Sequence, residues 1–95
     1  MFNFEKLDVW HKAIEYADKV YEATETFPDR ERFGLTNQLR RAAVSISSNI
    51  AEGNNRSTSR DRARFLEIAY GSLMETISQL HMSRRRRFID QASVY

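Results

Sequence analysis

Four arginines, Arg56, Arg60, Arg62 and Arg64, gather in one short stretch of this chain, with Asp61 as the only acid among them. A guanidinium is a planar fork of donors, and its chemistry is the holding of phosphate or carboxylate. If the stretch opens a helix, the positive helix end disfavours each arginine there by about 0.3–1 kcal/mol at low salt. Such a cluster is suited to receive phosphate, and equally suited to receive an acidic helix of another copy of the chain. No aromatic residue is interleaved with these arginines, which argues against base stacking among them.

Arg40, Arg41, Asn49 and Glu52 make a second polar set. A carboxylate near a helix C-terminus opposes the macrodipole and needs a cation if it is partly buried. Arg40, Arg41 or Arg56 can supply one, from this chain or a neighbour, so the set reads as a structural ion-pair cluster. Arg84 to Arg87 follow a helix, where positive charge is favoured, and a structural reading suffices for them.

Little else in the sequence could do chemistry. His11 and His81 are the only histidines, no triad partner is spaced to either, and a metal would want a convergent third ligand. Zero cysteines remove disulfides, thiolate metal sites and cysteine nucleophiles together. Ser45, Ser47, Ser48 and Asn49 stand beside small residues, a pattern of close helix packing. Neither a Gly-rich phosphate loop nor a nucleophile elbow occurs. A non-enzymatic protein without cofactor or metal is expected.

The elements that position these groups follow from hydrophobic periodicity. Leu7, Trp10, Ile14, Ala17 and Tyr21, widened by Ala13 and Val20, predict a helix over about residues 5–25, broken at Phe27-Pro28. Leu35, Leu39, Ala42, Ala43, Ile46 and Ile50 predict a second over about 30–53, with 29–34 able to form a turn of its own and Gly53 a natural residue just past the end. After the loop Gly53-Asn54-Asn55-Arg56-Ser57, Thr58 or Ser59 can cap a third helix over about 60–82, Thr58 and Asp61 making an approximate capping box. Its stripe is Leu66, Ala69, Leu73, Ile77 and Leu80, with Gly71 permitting close helix approach. The segment 88–95 is too short to stand alone as a helix. Trp10, Tyr16, Tyr21, Phe65 and Tyr70 fall at helical spacings and read as core or interface residues.

Ninety-five residues, 41% hydrophobic and 29% charged, fit one soluble domain spanning 1–95. Three Gly and one Pro are too few for a β-sandwich. No apolar run is long enough for a membrane span or signal segment, and the absence of cysteine fits a reducing cytoplasm. Net charge is only +2, unevenly spread. Residues 1–31 carry four basic against eight acidic side chains, a net of −4, whereas 32–64 carry seven arginines against two acids, a net of +5. The asymmetry suits an anionic partner, or an acidic helix lying beside a basic one.

The run Gly34-Leu35-Thr36-Asn37-Gln38-Leu39-Arg40-Arg41-Ala42-Ala43-Val44-Ser45-Ile46, followed by Ser48-Asn49-Ile50-Ala51-Glu52-Gly53, resembles the signature of the four-helix-bundle proteins encoded in intervening sequences of bacterial large-subunit ribosomal RNA genes. The likeness continues through Arg56, Ser57, Phe65-Leu66, Ile68-Ala69, Gly71-Ser72-Leu73 and Glu75, and takes in Val9-Trp10 and Phe27-Pro28. Two departures stand out: Ser47 replaces the family's usual proline, and the chain stops at Tyr95 where the family continues into a full fourth helix. The accessory protein of diversity-generating retroelements is similar at a greater distance, and that kinship implies a pentameric ring contacting a reverse transcriptase and nucleic acid.

The expected fold is therefore all-α, an up-down antiparallel bundle of four-helix type with the last helix truncated. The expected protein is a homo-oligomeric scaffold, a ring of five by resemblance, binding RNA, a ribonucleoprotein or a nucleic-acid-processing protein, and no membrane. The alternative is a protein–protein adaptor that never touches nucleic acid.

Overall fold

The computed structural model describes residues 2–89, which form three α-helices, α1 (Asp8–Thr24), α2 (Leu35–Asn54) and α3 (Ser59–Arg85), with 3-10 helices at Asn3–Lys6 and Asp29–Glu31. The all-α expectation holds, with no strand among the described residues. These residues hold three α-helices rather than four, and beyond Ile89 the segment expected over 88–95 lies outside them. No described helix is long and apolar enough to cross a membrane.

Local chemistry sets the boundaries. Helix α1 starts later than the expected residue 5 because Leu7 is extended, at φ −87° and ψ 122°, and separates a 3-10 turn from the helix. Pro28 has no N–H to continue a ladder, and the chain leaves it as a second 3-10 turn. The start expected near residue 30 therefore moves to Leu35, whose N–H donates to the Glu31 carboxylate at 3.2 Å. That carboxylate both satisfies a donor and sits at the positive end of α2. Thr58 caps α3 as expected, its Oγ1 accepting the Asp61 N–H at 3.1 Å.

Helix α3 ends in a feature that periodicity could not reveal. Arg87 lies in the left-handed region at φ 64°, which lets the Phe88 N–H reach the Ser83 carbonyl at 2.8 Å and the Arg87 N–H reach that of Arg84 at 2.9 Å. This pair of bonds is a Schellman ending, built here on arginine rather than glycine. It turns Phe88 back onto Phe27, ring centroids 5.5 Å apart.

Helix α2 packs along both other helices, while α1 and α3 approach each other at far fewer points. One apolar cluster joins Ala17, Val20, Phe27, Leu39, Ala43 and Leu80; the other joins Ala13, Ile46, Ile50 and Ala69. Tyr16 packs against both, and its hydroxyl shares a hydrogen bond of 2.8 Å with Thr76 Oγ1.

The buried stripes differ from the expected ones. In α1 the buried positions are Ala13, Ala17, Val20 and Thr24, leaving Ile14 and Tyr21 exposed. In α3 they are Ala69, Thr76, Leu80 and Ser83, and Leu66 is exposed. The hydroxyls buried by this rotation bond back to their own helix: Thr24 to Val20 O at 2.8 Å, Thr76 to Leu73 O at 2.7 Å and Ser83 to Gln79 O at 2.8 Å. A hydroxyl satisfied in this way can be buried at little cost.

Both glycine expectations are corrected. Gly53 lies inside α2 without positive φ and is buried against Phe65, where a Cβ would stand 2.9 Å from Phe65 Cβ. It is Gly53, not Gly71, that permits close helix approach. Nothing lies within 4 Å of where a Cβ on Gly71 would be.

Candidate functional site

At about 1.5 Å per residue, the 27 residues of α3 span about 40 Å, longer than either companion helix. Its first turn and a half, residues 59–64, is exposed throughout. Arg60, Arg62 and Arg64 are carried on this projecting end, and Arg56 stands half-buried in the loop before it.

The loop is tied down by the arginines themselves. Arg56 forms an ion pair with Glu52 one turn earlier, and its guanidinium stands over the Phe65 ring at 4.7 Å. Arg64 approaches the same ring at 5.7 Å. Arg62 Nε donates to the Arg56 carbonyl at 2.8 Å. No aromatic is interleaved with the arginines in sequence, yet the turn brings Arg56 onto the ring of Phe65, which follows Arg64. The Glu52–Arg56 pair is exposed, so it is worth at most about 1 kcal/mol. Chemically this end of the molecule is a basic surface that carries two carboxylates, Glu52 at its edge and Asp61 among the arginines, and is suited to multivalent anions.

The second polar set is not one cluster. Arg40 turns toward α1, its Nε donating to Thr24 Oγ1 at 2.8 Å and its guanidinium lying 4.7 Å from the Tyr21 ring centre. Asn49 Nδ2 donates to the Ser45 carbonyl at 2.8 Å, and Ser45 Oγ meets Ser72 Oγ at 2.9 Å across to α3. Arg41 is exposed, and Glu52 belongs with Arg56. Among the described residues only Glu52 has the ion-pair role read for the set.

His11 Nε2 lies 2.6 Å from the Glu5 carbonyl, and His81 Nδ1 lies 3.1 Å from Arg84 Nη2. Among the described residues no group of three or more His, Cys, Asp or Glu could hold a metal.

Sequence reasoning missed a cleft of about 660 Å³ between the Asn3–Lys6 turn and the last turns of α2. Phe2 and Phe4 line one side, and Ser48, Glu52, Asn54 and Asn55 the other. No periodic signal marks it, since a 3-10 turn folds the aromatics over a helix to which they are remote in sequence. The spacing Phe2-x-Phe4 beside an amphipathic helix was the only hint.

A family model described as 23S rRNA-intervening sequence protein matches residues 5–95. No curated protein matches the chain.

Proposed function

The chain belongs to the 23S rRNA-intervening sequence protein family, and from that premise we propose that it is a non-enzymatic, cytoplasmic, homo-oligomeric helical scaffold that binds RNA or a ribonucleoprotein. The observation that carries the reading is the unpartnered apolar face of α3, where Leu66 is 52% exposed, Tyr70 64% and Met74 39%. Complete burial of a large apolar side chain is worth about 1.5–3 kcal/mol, and each of these forfeits the share that its exposed part represents. Contact with other copies recovers it, and the family resemblance points to a ring of five.

The same α3 carries Arg60, Arg62 and Arg64 at its projecting end, so assembly multiplies the basic surface available to phosphates. Sedimentation equilibrium at micromolar concentration should report a mass several times 11.2 kDa. A folded species of 11.2 kDa there removes the oligomer. Mobility shift with structured ribosomal RNA fragments at two salt concentrations tests the partner. Replacing Arg56, Arg60, Arg62 and Arg64 with alanine should flatten the log K against log salt slope by about 0.7–0.9 for each phosphate that is no longer neutralised. Unchanged affinity and slope eliminate that surface.

The adaptor reading has one observation in its favour. Arg56 and Arg62 are already engaged within the chain, which reduces the charge the corner can offer to phosphate. Failure of every RNA to shift, with assembly intact, would select it.

A further inference from the structure

The cleft behind the Asn3–Lys6 turn is built differently from the rest of the surface. Phe2 and Phe4 lie nearly parallel, with planes 4° apart and centroids 6.0 Å apart. Phe4 is held in turn by the edge of Trp10 at 5.1 Å, and Trp10 by His11 at 5.0 Å. The Phe2 N–H donates to Glu5 Oε1 at 3.3 Å, fixing the backbone at the head of this column. The column is therefore supported from behind, yet Phe2 at its end is 71% exposed. An exposed aromatic ring held in a fixed orientation is a platform for another flat ring.

The facing wall is polar. Asn54 and Asn55 offer amide donors and acceptors, Ser48 a hydroxyl and Glu52 a carboxylate. A purely apolar occupant would leave these groups unmatched, whereas the edge of a heterocycle with amino and keto groups would meet them. Arg56, paired with Glu52, offsets the carboxylate that would otherwise repel a phosphodiester. Arg56 follows Asn55 of that wall directly in the chain, and is the cation nearest in sequence for a backbone phosphate to meet.

We propose that this cleft takes one unstacked nucleobase of single-stranded RNA, stacked on Phe2 and met along its edge by the last turn of α2. The inference rests on the RNA-binding reading above and names the part of the RNA that is gripped. Stacking is tolerant of base identity, so the cleft supplies affinity for unpaired bases rather than a sequence code.

Fluorescence anisotropy with a short, labelled, unstructured RNA and the full chain tests it. Phe2→Ala should weaken binding about 5- to 150-fold without altering the salt slope, because the change removes a stacking surface and leaves every phosphate-binding cation in place. Phe2→Trp should restore binding. An abasic strand of the same length should bind the unaltered protein as weakly as the intact strand binds the alanine variant. Phe2 lies outside both apolar clusters, so loss of fold does not confuse the outcome; sedimentation of each variant checks assembly. Equal affinity of Phe2→Ala and the unaltered protein overturns the cleft alone. A fall in assembled mass on Phe2→Ala also overturns it, by making this patch an interface between copies. If the unaltered protein binds no RNA at all, the broader reading falls and this one with it.

Discussion

Adding one methyl group at Gly53 and at Gly71 should have opposite effects. At Gly53 the new Cβ meets Phe65 Cβ at 2.9 Å and the Arg62 carbonyl at 3.4 Å, neither of which is the end of a flexible side chain. Overpacking of that kind costs about 1–3 kcal/mol and outweighs the gain in helix propensity. At Gly71 the methyl meets nothing within 4 Å, so Gly71→Ala should stabilise by about 0.5–1 kcal/mol. Urea denaturation of both variants reads the sign directly. Leu39, fully buried between the helices, is a third marker: Leu39→Ala should cost about 2–5 kcal/mol. At this scale the sequence was legible for most of the aliphatic residues, though not for the exposed Ile14 and Leu66, and misleading for hydroxyls. Thr24, Thr76 and Ser83 occupy core positions because each returns its proton to its own helix, and hydropathy counts them as surface. Arg56 was legible as a cation, but its place over Phe65 depends on a turn whose path no residue spacing encodes.

Helix ends give the sharpest tests of the elements. Thr58→Ala removes the acceptor for the Asp61 N–H and should cost about 1 kcal/mol, seen as a lower melting temperature. That substitution leaves a donor unmatched at the basic end of α3, where the field of the arginines already opposes the helix dipole. At the other end, Arg87 holds a left-handed conformation that costs an L-residue about 1–2 kcal/mol. Arg87→Gly should therefore raise stability by about 1 kcal/mol with the helical circular dichroism unchanged. A drop in stability would mean that the arginine side chain contributes more than its backbone strain removes. Three helices, their order and the breaks at Pro28 and near Asn55 were all legible from period and punctuation. Their rotation about their own axes was not, because Ala-rich faces such as Ala13–Ala17 offer two nearly equivalent stripes until tertiary packing selects one.

For the whole molecule, the exposed face of α3 decides between a solitary subunit and an assembly. Leu66→Glu combined with Tyr70→Glu places charge on that face without touching either apolar cluster. The double variant should keep its helical signal and sediment at 11.2 kDa while the unaltered chain sediments at a multiple of it. Equal assembly by both proteins would move the interface elsewhere. The opposed charges of residues 1–31 and 32–64, plain in the sequence, suit a head-to-tail contact between copies.

The central place of α2 bears also on how quickly the subunit forms. Because the middle helix in sequence is the one that touches both others, each docking step closes only a short connection, and little chain entropy is spent before packing rewards it. A fold wired between sequence neighbours has low contact order and should refold within about milliseconds or faster in one exponential phase. Association would then follow as a separate, slower phase whose rate rises with protein concentration. Stopped-flow refolding followed by Trp10 fluorescence, repeated at several dilutions, resolves the two in time: the early phase should be indifferent to dilution and the late one should lengthen with it.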